Sequence, residues 1–509
     1  MTHDSTPTTH QRTAYRLWTL GAGLLLGLAA ILSLPLIFGD LGGDRGVVNW
    51  FTIFLGTALA GSGFWWLLIQ RPRQASPGRG ALAGGLAALL AYPLVFLVML
   101  VLLGEAPLEL RVGSLPSRIA YALLAAFFAV AFGGWFTLVV GAAVGAGLGW
   151  AQRRLLPATQ RTAGSFVATQ TGRAQASARR RPWLAGLVAI VGVAAVLLGA
   201  LGAWIWFAPL NLAGLERAAA PVADYGAAVA AIEAQQAAER AAGVNPVCES
   251  RLLSHGDKAE RVVVLLHGFT NCPAQYTQLA QQLYYLGDNV YIPRLPGHGL
   301  ADRMTPALAD LSAEELASFA GASADIAQGL GEHVTVVGLS GGGNVAAWLA
   351  QERSDVDAAV LIAPMLGILK LPEYAVKPVA NAALTLPDFF IWWDAAAKEQ
   401  IAGPAYAYPR YATKAVAALL RLSAFVDWRA GEAAPATGRI LVVTNAADPS
   451  VNNAVVASIM DKWRARGGVV DAHEFAAALD LPHDIIDPNQ PDAQIEHVYP
   501  ILVELVRGG

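Results

Sequence analysis

Ser340 stands where an apolar, β-branched run, Val334 to Val337, breaks at Gly338 and an Ala-rich helical run begins after Gly343. A tight turn is required there. The pentad Gly338-Leu339-Ser340-Gly341-Gly342 has G-x-S-x-G spacing, in which a strained strand-to-helix turn pushes the serine hydroxyl into the open. The helix start that follows offers backbone N–H groups and the positive end of its dipole, which together stabilise an anion beside the serine. With 51 glycines in the chain, the spacing alone decides nothing. Its surroundings must.

Those surroundings alternate, from Gly243 onward, between short apolar runs and longer helical stretches. That pattern predicts a parallel sheet with helices on both faces. The strands are expected at Val262 to Leu266, Asn289 to Pro293, Val334 to Val337, Ala358 to Ile362, Arg439 to Thr444 and Val469 to Phe475. Open parallel sheets gather their chemistry at the strands' carboxyl ends. There the first strong strand closes in Leu266-His267-Gly268-Phe269 and the next in Pro296-Gly297-His298-Gly299, ahead of Gly338-Leu339-Ser340-Gly341.

In this combination, residues 246 to 506 resemble the α/β-hydrolase superfamily, and within it the carboxylesterase and monoacylglycerol-lipase-like branch, also described as serine aminopeptidase-like. The resemblance implies a doubly wound, mostly parallel sheet and an oxyanion hole built from the N–H groups of Phe269 and Gly341, two donors aimed at the charge of a tetrahedral intermediate. It also implies the chain order nucleophile, acid, base. Asp448, in Ala447-Asp448-Pro449-Ser450-Val451, follows a late strand, and His483, in Pro482-His483-Asp484, follows the last. Ser340, Asp448 and His483 are therefore the expected triad, with Asp448 holding the imidazole in the tautomer that takes the serine proton. Asp484 and Asp487 remain alternative acids. His267 and His298 lie inside turn sequences and are read as loop-ordering residues. Gly341 departs from the pattern, because a larger residue often follows the nucleophile.

Between the strands at Ala358 to Ile362 and Arg439 to Thr444 lies a long insertion rich in aromatic residues, including Phe389, Phe390, Trp392, Trp393, Tyr406, Tyr408 and Tyr411. Lipase-like relatives place a helical cap there, about residues 365–436. Trp392 and Trp393, with Leu339 beside the serine, are the expected substrate contacts; the alternative is that the aromatics form the cap's own core.

Composition adds a second expectation. At 55% hydrophobic and 14% charged, the 509 residues look too apolar for one soluble enzyme. A transmembrane bundle is predicted over residues 1–210, where five apolar runs approach the length of about 20 residues that spans a bilayer: 17–38, 50–69, 82–103, 119–150 and 183–207. Twelve arginines against three then put the N-terminus in the cytoplasm and the C-terminal half outside it, as an integral multi-pass protein of the cell membrane in contact with membrane lipids. Gly141, Gly145 and Gly149 have small-xxx-small spacing, suited to close helix packing within the chain or between protomers. Residues 211–245 read as an Ala-rich linker helix, and 246–509 as the hydrolase domain.

Residues 1–242 carry a formal charge of +8 and residues 243–509 one of −11, so the second half lacks the basic stripe that nucleic-acid binding needs. Neither a metal-ligand spacing nor a P-loop occurs, and no metal or cofactor is implied. The two cysteines, Cys248 and Cys272, flank the first strong strand, either as a disulfide or as two free thiols. Together the residues and the resemblance lead to a membrane-anchored serine hydrolase that cleaves carboxylic esters of lipid-derived or acylated substrates through an acyl-enzyme. The alternatives are acyl transfer or peptide cleavage by the same triad, or a membrane scaffold or transport component whose outer domain only binds.

Overall fold

The run Val262-Val263-Val264-Leu265-Leu266 has no polar face, and such a strand is stable only where both faces are covered. The computed structural model covers them. It describes residues 9–33, 46–70, 75–97, 135–155, 204–368, 371, 373–394 and 396–508. The chain divides into two units, Met1–Ala208 and Pro209–Gly509.

In the first unit the described helices are α1 (Thr9–Ser33), α2 (Gly46–Trp65), α3 (Pro77–Leu97) and α4 (Trp135–Leu155). The packing of α3 on α4 is set by glycine. A Cβ at Gly84 would lie 1.9 Å from the Gly141 carbonyl oxygen, and one at Gly80 would lie 2.0 Å from that of Gly145. The Gly141, Gly145 and Gly149 stripe is thus used for backbone contact inside the chain.

Among the described residues no helix is long and apolar enough to cross a membrane. This corrects the expected five-span bundle, and with it the integral multi-pass localisation and the topology read from the arginines. The described helices are not apolar throughout: α1 includes Gln11, Arg12 and Arg16, α2 stops at Trp65 where a π-helical turn follows over Trp66–Gln70, and α4 carries Gln152, Arg153 and Arg154 near its end. Gln152 is buried and accepts a 2.9 Å hydrogen bond from Trp65 Nε1. Residues 98–134 and 156–203, which hold most of the remaining expected spans, lie outside the described residues.

The second unit is built on a seven-stranded sheet. Its strands are β1 (Arg251–Leu253), β2 (Ala259–Leu266), β3 (Asn289–Ile292), β4 (Gly331–Leu339), β5 (Ala358–Ile362), β8 (Arg439–Asn445) and β9 (Val470–Phe475). They run in the order β1-β3-β2-β4-β5-β8-β9. Only β1 is antiparallel, which makes the sheet mixed. A separate two-stranded hairpin, β6 (Phe390–Trp392) with β7 (Arg410–Ala412), lies in the insertion.

Alternation divides the apolar strand residues between two cores. Val262, Val264, Leu266, Val334, Val336, Ala359, Leu361, Ile440 and Val442 face α5 (Tyr225–Ala241), α7 (Ala313–Leu330), α8 (Gly341–Glu352), α10 (Thr413–Glu432) and α11 (Asn453–Ala465). Val263, Leu265, Val337, Leu339, Val360, Ile362, Leu441 and Val443 face α6 (Thr277–Tyr285) and α12 (Ile495–Arg507). Each fully buried Val or Leu contributes roughly 1.5–3 kcal/mol. Burial of this extent fixes the register of the ladder, and Leu266 pairs with Gly338, Leu339 with Ile362 and Ile362 with Val443. The carboxyl ends of β2, β4, β5 and β8 therefore finish level.

The Ala-rich segment is part of this unit rather than a bare spacer. Asp224 caps α5, and near its end Glu239 is buried, accepting from Ser250 N and Ser250 Oγ at 2.7 and 2.6 Å and pairing with Arg294 Nε at 3.3 Å. Upstream, Trp348 Nε1 donates to the Leu215 carbonyl. The long insertion also divides. Its first part holds α9 (Glu373–Thr385) and the hairpin, while α10 returns to the sheet and buries Leu419, Leu422 and Phe425 in the core.

Candidate active site

The turn after β4 holds Ser340 at φ 54°, ψ −113°, a backbone region that a residue with a Cβ rarely occupies. Its neighbours must be small. A Cβ at Gly338 would lie 2.2 Å from the Gly342 carbonyl oxygen, and one at Gly342 would lie 2.1 Å from that of Leu266. Ser340 N donates to the Ile362 carbonyl of β5 at 2.9 Å, while its own carbonyl accepts from Asn344 N and Met365 N. The strained residue is thus held by β5, by the loop after it and by the first turn of α8.

The loop after β2 lies against this turn. A Cβ added to Gly341 would come within 3.0 Å of Phe269 Cβ and 3.1 Å of Phe269 N, so glycine lets the two loops meet. Neither the Phe269 nor the Gly341 N–H is taken up by an acceptor among the described residues. Gly341 opens α8, where the first N–H groups have no intrahelical partner. Thr270, next in the loop, has φ 64° and donates through Oγ1 to the Phe269 carbonyl at 2.6 Å.

The remaining partners arrive from the far side of the sheet. Asp448, on the turn after β8, accepts a 2.8 Å hydrogen bond at Oδ2 from His483 Nδ1. Its Oδ1 accepts from Ser450 N and Val451 N at 2.7 and 3.1 Å. Burial works to raise the Asp448 carboxyl, but the hydrogen bond and charge of His483, with the two N–H donors, outweigh it and hold the group below the usual carboxylate range. Nδ1 of His483 is thereby committed as a donor, which leaves Nε2 as the ring's acceptor. Among the described residues no hydrogen bond joins Ser340 Oγ to His483. Serine–histidine bonds of this kind are often long before substrate binds.

Asp484 and Asp487, the alternative acids, have other partners. Asp484 Oδ2 accepts from Gln275 Nε2, Gln490 Nε2 and Asn271 Nδ2, and Asp487 Oδ2 accepts from the Tyr406 hydroxyl at 2.7 Å. Burial raises the Asp487 carboxyl. His267 accepts from Leu295 N at Nε2 and bonds the Gly268 carbonyl through Nδ1, so it is neutral and ties two loops together; burial, with the nearby His298, lowers its pKa well below the ordinary value.

Trp393 donates from Nε1 to Thr270 Oγ1 at 2.9 Å, and its ring lies 4.5 Å from that of Tyr411 and 6.4 Å from that of Phe269. Trp392 is half-buried in the hairpin opposite Arg410, whose guanidinium lies 5.8 Å from its ring. Leu339 is buried in the core, under the turn rather than at its surface. Cys248 and Cys272 are joined as a disulfide.

Two residues that the sequence reading does not name, Thr270 and Gln275, belong to the same structure, together with Tyr411 from the aromatics of the insertion. Thr270 links the hairpin to the loop after β2, Tyr411 lies beside Trp393, and Gln275 supports Gly268 by accepting its N–H at 2.8 Å. None carries a sequence motif.

Residues 263–493 match the alpha/beta hydrolase family. No curated protein matches the chain. The second half of the chain is similar to solved structures, among them one of the metagenome-derived lipolytic enzymes LipS and LipT, at 19% identity, covering 52% of this chain and 100% of the other with a TM-score of 0.40. A monoacylglycerol lipase from Paleococcus ferrophilus is 19% identical over 50% of this chain and 97% of its own, with a TM-score of 0.39. A soluble variant of the monoglyceride lipase of Saccharomyces cerevisiae is 11% identical over 51% and 91%, with a TM-score of 0.40. Within the alpha/beta hydrolase fold, the turn after β4, the loop after β2 and the loops after β8 and β9 meet at the carboxyl edge. That edge carries the Ser340 hydroxyl, the N–H groups of Phe269 and Gly341, and an imidazole oriented by Asp448.

Proposed function

We propose that this chain is a serine hydrolase that cleaves carboxylic esters through an acyl-enzyme on Ser340. The observation that carries the reading is the 2.8 Å bond from His483 Nδ1 to Asp448, on the same sheet edge as a serine held at φ 54°. His483 Nε2 takes the Ser340 proton as Oγ attacks the ester carbonyl. The N–H groups of Phe269 and Gly341 receive the oxyanion, each such donor being worth about 3 kcal/mol in related chemistry. The intermediate collapses with the proton passing from His483 to the leaving alcohol, and a water activated by the same imidazole releases the acid. Asp448 stays ionised throughout and stabilises the imidazolium.

The aromatic group of Phe269, Trp393 and Tyr411 beside these donors favours an ester whose acyl or alkoxy part is apolar. Ser340→Ala in the full chain is expected to abolish turnover of a p-nitrophenyl ester and labelling by a fluorophosphonate. Labelling retained by that variant would mean that the nucleophile lies elsewhere.

A further inference from the structure

The oxyanion donor and the imidazole assigned above come from loops after β2 and β9. Between these strands in the sheet lie β4, β5 and β8, so strand pairing does not itself set the spacing of the two loops. Side-chain hydrogen bonds to Asp484 link them, and the shortest comes from Gln275. Gln275, 1% exposed, accepts the N–H of Gly268 at 2.8 Å through Oε1 and donates through Nε2 to Asp484 Oδ2 at 2.7 Å. Gly268 precedes Phe269, and Asp484 follows His483.

The bridge is braced at both ends. Asn271 Nδ2 donates to the same Asp484 oxygen at 3.3 Å and Asn271 Oδ1 accepts from Cys272 N at 2.8 Å, which ties in the disulfide-bonded residue. On the other side, Asp484 Oδ1 accepts from Ile486 N and Asp487 N, both at 3.1 Å, and Gln490 Nε2 adds a 2.9 Å bond to Oδ2.

We propose that Gln275 and Asp484 are a positioning pair that holds the Phe269 N–H in register with the His483 imidazole; the proposal rests on the hydrolase reading above. A glutamine suits the place because it offers an acceptor to one loop and a donor to the other. No shorter residue spans both, and an acid at 275 would set a second carboxylate against Asp484. Neither residue touches the reacting atoms. The pair acts in the transition state, where the spacing between donor and base matters most, so its loss falls on kcat more than on KM.

The test uses the full chain with two variants, Gln275→Leu and Gln275→Glu, the second of which keeps the size of the side chain and the acceptor for the Gly268 N–H but loses the donor to Asp484. Rates on a p-nitrophenyl ester are expressed per site titrated with a fluorophosphonate, so unfolded molecules drop out. Gln275→Leu is expected to lower kcat per titrated site by roughly 10- to 100-fold, with KM within about threefold. Gln275→Glu is expected to fall comparably. If Gln275→Leu yields no titratable sites, the near-isosteric Gln275→Glu decides. A kcat per site within fivefold of the unaltered chain, for Gln275→Leu or, failing titratable sites there, for Gln275→Glu, overturns the pair. An unaltered chain that neither titrates nor turns over ester removes the hydrolase reading and the pair with it.

Discussion

His298 shows how burial at this sheet edge fixes protonation. The ring is fully buried, and burial pushes its pKa down to about 4, against the bond from Nδ1 to the Pro296 carbonyl and with help from the charge of Arg294. In the unfolded chain the same imidazole titrates near 6.5. Between those values the unfolded state binds more protons than the folded one, so the stability present above about pH 6.5 is lost as the pH falls toward 4. The loss due to His298 alone is about 3 kcal/mol, and His267, its neutral neighbour, adds to it. Urea melts taken through this window should therefore show stability falling with acid, and His298→Gln should flatten the slope even where it lowers the plateau. Equal slopes in the two proteins would show that His298 is not the group being protonated. At this scale the sequence singles out Ser340, Asp448 and His483 because each sits in a short run with its own turn chemistry, and the proposed roles rest on them. Gln275 has no such run, and Asp484 stands out only as an alternative acid, not as a partner of Gln275. Each carries meaning only opposite a partner 209 positions away.

The turn after β4 works as an element because α8 can press its first residues against the end of β2. At Gly342 this contact leaves no room: a Cβ would lie 2.1 Å from the Leu266 carbonyl oxygen and 2.5 Å from that of His267, and backbone cannot swing aside as a flexible side chain can. Gly342→Ala should therefore cost more than about 3 kcal/mol of stability, or shift α8 and displace Ser340. Gly431, within α10, has nothing within 4 Å of its added Cβ. Gly431→Ala should stabilise by about 0.5–1 kcal/mol, because alanine loses less backbone freedom in a helix. Chemical denaturation of both variants checks the contrast, and equal effects would mean that crowding at the turn is relieved by backbone movement. The central strands β2, β4, β5 and β8 can be read from sequence because strands covered on both faces leave largely apolar runs, whereas the edge strand β9 carries Asp471, His473 and Glu474 on exposed or half-buried positions. The three-residue strands β1, β6 and β7 leave no such run. Helix α10 falls inside the expected cap because an apolar helical face looks the same in sequence whether it covers a sheet or another helix.

For the whole molecule, composition was the least informative guide. Alanine and glycine enrich the first unit, and Gly80, Gly84, Gly141 and Gly145 there serve backbone contact between α3 and α4, a use that hydropathy alone reads as an interior for lipid. Cysteine placement says more. The Cys248–Cys272 disulfide closes a chain segment with a sequence separation of 24 that contains β1, β2 and the start of the loop carrying Phe269. Both residues are fully buried, and an added Cβ at Gly299 would lie 2.8 Å from Cys248 Cβ, so the cross-link also packs against the Pro296-Gly297-His298-Gly299 turn. In the chain-entropy account, cross-linking a loop of this length restricts the unfolded ensemble by about 3 kcal/mol. Replacing both cysteines by alanine should remove that amount from the folding of the second unit, and a reductant should do the same to the unaltered chain once the buried bond is reached. Because the restriction acts on the unfolded state, the loss should appear mainly as slower refolding, with the unfolding rate changed less. Denaturation and refolding of the oxidised, reduced and alanine-substituted chains measure both quantities. Equal stability in all three would mean that the segment from 248 to 272 is already as restricted without the cross-link as with it.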